Sequence, residues 1–521
     1  MSSSASPAAS EPLPSPHRLT RGDIIAGISV ALVLIPQSLA YAELAGLPAY
    51  YGLYAAAVPP LAAAFFASSR YLQTGPVAMT SLLTFGALSA FAEPFTAEWI
   101  KLAALLALMV GLTRLLLGLI RGGVIAYFMS QPVLVGFTTA AAILIVSSQL
   151  PTALGVKADG DTILGRLWWT VTHAGEWETT AIVLSVMTVA LVAGGRRIHR
   201  LFPGVLIAVA IGIIYSVAAD YGGLRVGDVD LSFPGSPLDL PWGDVWSLLV
   251  PGAVIALVGF AEPAAIARIF AAQDRERWSP NRELISQGVA NLASGLSGGF
   301  PVGGSFSRSS INRLVGWDTR WSGAVTGAAV LTFLPLAWVM SDLPRAVLGA
   351  IVVAAVARLI NIPRLLGFWR MSPAQALVAW TTFAATLILS PRIDLAVVLG
   401  VSLGITVHLW RELRVPVGSA YEDGVLTLRP QGVVFFGSSP DVAEAMLELL
   451  AQYPDADRVV FDLAAVGRVD LTGALALKTL VDDARLAGLE ADVTGVPDHA
   501  GRVLQAVWEG ELATRRDRDS A

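Results

Sequence analysis

Fourteen apolar stretches, separated by glycine, proline and charged residues, run through the first four-fifths of this chain of 521 residues. A helix needs about 20 mostly apolar residues to cross a bilayer, and most of the stretches approach that length. Only 14% of all residues are charged, against about 25% in a typical soluble chain. The pattern predicts an α-helical polytopic membrane protein with segments at 22–45, 51–68, 75–91, 98–120, 124–148, 178–194, 202–219, 245–272, 282–298, 305–315, 319–340, 345–361, 373–390 and 394–412.

The distribution of charge divides the chain in two. Residues 421–521 are about 27% charged, as a soluble domain is, whereas the preceding residues are only about 11% charged. The composition of the residues before 421 is typical of membrane-embedded segments, and that of residues 421–521 is typical of a domain in water. We therefore predict a disordered cytoplasmic N-terminal tail over 1–20, a transmembrane domain over 21–414 and a small cytoplasmic α/β domain over 421–514.

Several classes of protein are disfavoured by composition. Cysteine is absent, so disulfides, thiolate metal sites and cysteine nucleophiles are excluded. The five histidines are scattered singly, and the net charge is −5, which gives no support for a metal site or for nucleic-acid binding. No phosphate-binding loop or nucleophile elbow is present. We expect no cofactor, no metal and no enzymatic activity, and direct pumping driven by ATP is disfavoured.

The arginines that border the apolar segments indicate an orientation. They follow even-numbered segments, and cytoplasmic loops of membrane proteins carry the excess of Lys and Arg. Both termini are therefore predicted to be cytoplasmic. The arginines that mark these cytoplasmic ends include Arg197, Arg275, Arg358 and Arg411, together with Arg114 and Arg121 at the end of the fourth segment.

The first and eighth segments can be aligned without gaps. Pro36-Gln37 then falls on Ala261-Glu262, and a similar shift places Gly75-Pro76-Val77 near Gly304-Ser305-Phe306. Seven segments in each half, an odd number, would give the two halves opposite topology. Inverted repeats with interrupted helices are typical of secondary transporters, whose binding site lies near the membrane midplane. The alternative is that membrane helices rich in small residues resemble one another by composition alone.

The segments at 75–91 and 305–315 are short, and each follows a stretch poor in helix-forming residues. A helix that begins inside the membrane leaves its first N–H groups without partners, and its dipole favours negative charge there. Two such helix starts facing each other would bind one anion. The alternative is that Gly-Pro merely kinks a helix. The predicted substrate-binding residues at these starts are Val77, Ala78, Met79, Ser305, Phe306 and Ser307.

Polar residues inside apolar runs complete the predicted site. An intramembrane carboxylate is costly and marks function by default, so we predict that Glu262 carries a proton; alternatively it pairs with Arg268 or Arg308. Arg308 would bias the site toward anions or simply pair with Glu262. Gln37, the repeat equivalent of Glu262, and Tyr41, one turn later, would line the same pocket. For Gln37, a structural bond between helices is the alternative.

The pattern changes after residue 414. Short runs of β-branched and aromatic residues alternate with amphipathic stretches. This alternation predicts an α/β domain of about 100 residues. Predicted strands lie at 424–428, 432–436, 458–463 and 490–496, and predicted helices at 440–452 and 470–486.

Over nearly its whole length the sequence resembles the sulfate permease (SulP) anion transporters of bacteria, relatives of the animal solute-carrier anion exchangers. The stretches that carry the resemblance are Pro36–Ala42, Thr74–Ala78 and Gly304–Ser309. The tail, with Phe461-Asp462-Leu463 and Asp470-Leu471-Thr472-Gly473, is similar to a STAS domain. Small hydroxyl residues follow one another in the family's tail motif, whereas this chain has Leu471 and Thr472 there. This departure disfavours phosphorylation at the motif, and Thr472, its one hydroxyl residue, is the candidate regulatory residue.

The resemblance implies a seven-plus-seven inverted repeat divided into a core, roughly 21–120 and 245–340, and a gate, roughly 121–220 and 345–414. It places an anion site between the third and tenth segments. Gln37, Tyr41 and Glu262 would line that site beside the amides near Val77, Phe306 and Ser307. It also implies a homodimer in the bacterial cytoplasmic (inner) membrane.

The expected function is secondary active transport of a small anion by alternating access of core against gate. Some family members have no acidic residue at the position of Glu262. The carboxylate at this position therefore leads us to expect proton-coupled symport instead of plain exchange. A carboxylate or dicarboxylate is favoured as the substrate over sulfate or bicarbonate. The expected partners are the anion, a coupling proton or sodium ion, the bilayer, and a cytoplasmic protein bound through the STAS domain. The alternatives are an anion exchanger, an anion channel, sodium-coupled bicarbonate uptake, a neutral-solute carrier, and a signalling module with transport secondary.

Overall fold

A computed structural model describes residues 18–127, 130–160, 162–199, 201–229, 237–316 and 319–519. All but the last three residues of the predicted tail over 1–20 lie outside these ranges. The chain divides into two compact units, Met1–Gly404 and Ile405–Ala521, and each is described by itself.

The first half of the membrane unit is almost entirely helical. A π-helical turn over Ala190–Gly194 joins two of its helices. Two residues form a short strand β1, Thr74–Gly75, immediately before the third helix. The helices are α1 Arg21–Leu44, α2 Tyr51–Phe66, α3 Ala78–Leu88, α4 Ala97–Leu119, α5 Gln131–Ala153, α6 Ile163–Thr172, α7 Thr179–Val189, α8 Gly195–Ile198 and α9 Gly204–Ala218.

The second half repeats this plan, with strand β2, Gly303–Gly304, before the short helix α12. Its helices are α10 Val245–Asp274, α11 Pro280–Leu296, α12 Phe306–Val315, α13 Trp321–Phe333, α14 Arg345–Val356, α15 Ile362–Met371, α16 Pro373–Ile388 and α17 Ile393–Glu412. A helix thus lies on each predicted apolar segment. Among the described residues, seven helical stretches are long and apolar enough to cross a membrane, and five further apolar helices are shorter.

One segment boundary and two additional helices differ from the sequence prediction. The fifth segment begins at Gln131 rather than near 124, because a 3-10 turn over Gly122–Tyr127 precedes it. Helices α6 and α15 were not predicted at all. Each has only ten residues and one apolar face, and both expose a tryptophan, Trp168 and Trp369. Such helices suit a membrane interface, and a search for runs of about 20 apolar residues passes over them.

The helices of the two halves pack in a reciprocal pattern. Helix α1 packs against α12 while α10 packs against α3, and α4 packs against α11 while α2 packs against α13. If α1 to α4 are exchanged with α10 to α13, each contact is converted into its counterpart. This reciprocity is what an inverted repeat produces when its halves are related by a two-fold axis in the membrane plane.

The second unit contains a four-stranded sheet in the order β3-β4-β6-β8, in which β4, β6 and β8 are parallel. A separate parallel pair joins β5 to β7. The strands are β3 Val417–Glu422, β4 Val425–Pro430, β5 Gly432–Val434, β6 Arg458–Asp462, β7 Val466–Val469 and β8 Glu490–Thr494. Its helices are α18 Ser439–Gln452, α19 Leu471–Leu486 and α20 Asp498–Asp519.

The predicted strands and helices of this unit are all present, although their ends shift. Buried side chains such as Leu428, Val459 and Phe461 from the sheet pack with Leu477 and Val481 from α19. Strands β3 and β7 and helix α20 were not predicted. The sheet begins at Val417, four residues before the predicted boundary at 421.

Candidate functional site

The two short strands bring the starts of α3 and α12 together. They pair antiparallel, with Thr74 opposite Gly304 and Gly75 opposite Gly303. Because the strands run in opposite directions, the helices that follow them leave the pair in opposite directions. Their N-termini therefore lie close to one point inside the membrane unit, where the dipoles of both helices favour negative charge.

Buried polar side chains hold this crossing point. The Gln73 amide donates to Oγ of Ser309 at 2.9 Å, and the Ser305 amide donates to the Gln73 carbonyl at 3.0 Å. Nε2 of Gln287 donates to Oγ1 of Thr74 at 2.8 Å. Backbone groups cut off from water need such partners. Neither Gln73 nor Gln287 was predicted as a site residue, although both are polar residues next to or within helices.

Arg114 and Asn291 secure the other side of the crossing. Asn291 accepts from the Val302 amide at 2.9 Å and donates to the Val302 carbonyl at 3.1 Å. The fully buried guanidinium of Arg114 donates to the carbonyls of Val302 and Ala256, both at 3.0 Å, and of Ile255 at 3.1 Å. The prediction that Arg114 marks the cytoplasmic end of α4 was therefore wrong, because its guanidinium is buried and donates to backbone carbonyls inside the protein.

A cavity of about 740 Å³ reaches the two helix starts. Helix α3 has no side-chain cap, whereas at the start of α12 the Ser305 hydroxyl lies 3.5 Å from the Arg308 amide and 3.2 Å from the Ser307 hydroxyl. The first amides of α3 thus have no side-chain partner, and the Phe306 amide of α12 faces Glu262. The predicted site residues that line the cavity are Tyr41, Val77, Ala78, Met79, Glu262, Ser305, Phe306 and Ser307.

Gln37 and Arg308 lie behind the cavity wall instead of on it. Arg308 is fully buried, and its Nη1 approaches Oε1 of Gln37 at 3.5 Å. Its Nε and Nη2 have no hydrogen-bond partner within the described part of the chain. A Cβ at Gly75 would lie 3.5 Å from Nη2, so the cation sits directly beside β1. Charges interact strongly where the dielectric is low, and Arg308 therefore adds positive potential to the helix starts.

Glu262 is the carboxylate in the cavity wall. It precedes Pro263 inside α10, close to the backbone N–H of Phe306. The charge of Arg308 acts on it, yet Glu262 forms no ion pair with any residue in the described ranges. The Glu262 side chain therefore contributes a carboxylate to the cavity wall, next to the start of α12.

Thr472 belongs to the second unit and is exposed. Asp470 caps α19, because its Oδ1 accepts from the Gly473 amide at 2.7 Å. The Thr472 hydroxyl donates to the same oxygen at 2.8 Å. The predicted regulatory hydroxyl thus stands beside the cap of a helix, with a carboxylate as its immediate neighbour.

Interrupted helices that meet at a cavity between reciprocally packed halves define a secondary-transporter fold. The model of the sulfate permease family matches residues 20–382, and that of the STAS domain matches residues 420–507. The chain therefore belongs to the sulfate permease family of anion transporters and carries a C-terminal STAS domain. It is a multi-pass membrane transporter and not an enzyme.

Similar proteins include a probable sulfate transporter of Mycobacterium tuberculosis, which is 36% identical over 377 residues, covering 71% of this chain and 67% of that protein. The murine solute carrier 26 family member A9 anion transporter in the inward-facing state has a TM-score of 0.83 and 20% identity, covering 97% of this chain and 92% of that one. The transmembrane domain of a cyanobacterium bicarbonate transporter, BicA, has a TM-score of 0.62 and 23% identity, covering 74% and 97%. The two structures show the fold.

Proposed function

We propose that this protein is a secondary active transporter that carries a small anion together with a proton. The observation that carries the proposal is the cavity that ends at the starts of α3 and α12 with Glu262 in its wall. Two sets of helix-start amides and the buried Arg308 provide positive potential for the anion. Glu262, beside the same space, provides the group that takes up the coupled proton.

Sulfate is the first substrate to test, because the Mycobacterium tuberculosis relative is named a probable sulfate transporter. Bicarbonate is the second, after the cyanobacterium transporter that shares the fold. Carboxylates and dicarboxylates remain candidates, since helix-start amides bind any small anion that fits between them. The shape of the site determines which of these anions binds most tightly.

A carrier is favoured over a channel, because two helix ends outside the cavity lining are joined to each other. The end of α1 and the start of α14 are joined by an ion pair of 2.6 Å between Glu43 and Arg345. The neighbouring sequence is apolar and buried. It includes the core residues Leu44, Leu47 and Leu348. We infer that the core, 21–120 and 245–340, moves against the gate, 121–220 and 345–414, to separate these two helix ends.

The test is uptake of labelled sulfate, bicarbonate and succinate into proteoliposomes under an imposed pH gradient. The proposal expects an inward proton gradient to drive uptake of at least one anion in the wild-type protein. Glu262→Gln should abolish this drive while anion exchange continues. The matched control is Glu276→Gln, which neutralises a carboxylate just beyond the same helix, outside the cavity wall and paired with Arg70.

Several outcomes of this assay would contradict the proposal. Proton-driven uptake that persists in Glu262→Gln removes the proton role from Glu262. Uptake that follows a sodium gradient and ignores pH replaces the proton with sodium. Flux that shows no saturation and gives single-channel currents supports a channel on the same scaffold.

The proposal extends to assembly and location. A homodimer in the bacterial cytoplasmic membrane, with both termini in the cytoplasm, fits the arginine distribution and the family resemblance. Mass measurement of the protein in native membrane particles would test the dimer, and protease access to the tail in oriented vesicles would test the orientation. Deletion after Arg414 would show whether transport needs the STAS domain or whether that domain serves a cytoplasmic partner.

A further inference from the structure

The cavity extends well beyond the two helix starts. One part of its wall is formed by the end of α14 and the 3-10 turn Ala357–Leu359 that follows it. Another part is formed by residues 201–206, where the chain enters α9. Neither part was predicted to contribute to the site, and the 3-10 turn brings Arg358 to the cavity.

The exposure of the lining residues indicates where Arg358 lies along the cavity. Most of the lining at the helix starts is buried, with Tyr41 and Val77 each only 7% exposed, although Phe306 is 51% exposed. At the other end the lining is open, with Leu314 49% and Leu359 45% exposed. Arg358 adjoins Leu359 and is itself exposed. It therefore stands at the open end of the cavity.

Arg358 is also the one cation among the described residues that line the cavity. Arg308 lies behind the wall, and within the described part of the chain no carboxylate pairs with Arg358. The guanidinium of Arg358 thus supplies positive charge to the cavity wall itself.

The size of the cavity leaves room for more than one anion position. Pockets of about 300–1,000 Å³ hold drug-sized ligands, and this cavity has a volume of about 740 Å³. A small oxyanion at the helix starts would occupy only part of that space. The guanidinium of Arg358 presents the fork of donors that suits planar and tetrahedral oxyanions.

We propose that Arg358 forms an outer anion site at the cavity mouth, where a small oxyanion binds before it moves to the helix starts. This inference rests on the proposed anion transport. In this proposal Arg358 captures the substrate, whereas Glu262 carries the coupled proton.

The test compares Arg358→Gln with wild type by uptake of labelled sulfate and bicarbonate and by equilibrium binding of the same anions to the detergent-solubilised full chain. The expected result is a rise in KM and Kd of about three- to tenfold at low ionic strength, with kcat little changed. The difference should shrink near 0.15 M salt, where the Debye length falls to about 8 Å. Arg358→Lys should retain most of the affinity.

The matched control is Arg370→Gln, which removes an exposed cation in the last turn of α15, outside the cavity wall. Equal KM and Kd in Arg358→Gln and wild type at every ionic strength would overturn the outer site while leaving anion transport in place. An equal rise in KM and Kd for Arg370→Gln would also overturn it, because the effect would then belong to net charge. A wild-type protein that neither binds nor moves any anion of the panel would overturn the proposed function itself, and the outer site with it.

Discussion

Thr74 of β1 lies opposite Gly304 of β2, so two residues that are 230 positions apart in the chain meet beside the site. Two-residue strands are too short to be stable by themselves. Their pairing depends on side chains that bond to their flanks, among them Gln287, Asn291 and Arg114. Anion affinity should therefore respond to changes in residues that never touch the anion.

Replacement of Arg114 should be among the most damaging changes in the membrane unit. Arg114→Leu removes three hydrogen bonds from a charged donor to the carbonyls of Ile255, Ala256 and Val302, and bonds of this kind contribute about 1.5–3 kcal/mol each. We expect a loss of at least about 3 kcal/mol, seen as a large drop in the thermal midpoint of the detergent-solubilised protein. Arg121→Leu, which removes an exposed arginine just beyond the same helix, is the control.

Gly259→Ala tests the same contact from the other side. A Cβ at this position would lie 2.5 Å from Nη2 of Arg114, so the guanidinium or α10 must shift. The expected result is a lower thermal midpoint and a higher KM for the anion. Gly175→Ala, where a Cβ would meet nothing within 4 Å, should leave both quantities unchanged. A stable Gly259→Ala protein with the wild-type KM would show that Arg114 does not position the site.

The ion pair between Glu43 and Arg345 should contribute measurable coupling. Its nitrogen–oxygen distance is 2.6 Å, and the Glu43 side chain is only 7% exposed. A double-mutant cycle with Glu43→Gln and Arg345→Gln should give a coupling free energy of about 1–2 kcal/mol in thermal or denaturant stability. Because the pair joins α1 to α14 outside the cavity lining, its loss should also increase labelling of nearby cysteines introduced there. Coupling near zero with unchanged labelling would remove this contact from the gate.

The STAS domain offers a contrast between neighbouring residues. Asp470→Ala removes the cap of α19 and should cost about 1 kcal/mol, measured as faster proteolysis of the tail in the full chain. Thr472→Val removes only the exposed hydroxyl that donates to Asp470, and it should leave stability within about 0.5 kcal/mol of wild type. If Thr472→Val changes transport without changing proteolysis, Thr472 has a regulatory role beyond its contact with the cap.

Much of the fold could be predicted because hydrophobic length is a strong signal in a membrane. Each apolar stretch proved to be a helix, and the short stretches near 75 and 305 proved to be the interrupted ones. Helices α6 and α15 escaped because they are short and have polar faces. In the second unit, β3 and β7 escaped because each is a short run that contains a glycine and a charged residue, which hides the strand pattern.

The site was harder to predict, because position in a sequence does not say which way a side chain points. Glu262 and Tyr41 face the cavity, whereas Gln37, the repeat counterpart of Glu262, lies behind it with Arg308. Arg114 and Arg358 were both assigned to cytoplasmic ends by their place near segment ends. One is buried against three carbonyls and the other stands at the cavity mouth. Only the packing of α4 and α14 distinguishes these arrangements.

The most direct test is to locate a bound anion, using selenate as a heavy analogue of sulfate. Anomalous diffraction from crystals grown with selenate should give a peak between the starts of α3 and α12, within hydrogen-bonding reach of the amides near Ala78 and Ser307. Bromide should give a peak at the same place. Strong anomalous peaks that lie elsewhere in the membrane unit, with none between these two helix starts, would contradict the account.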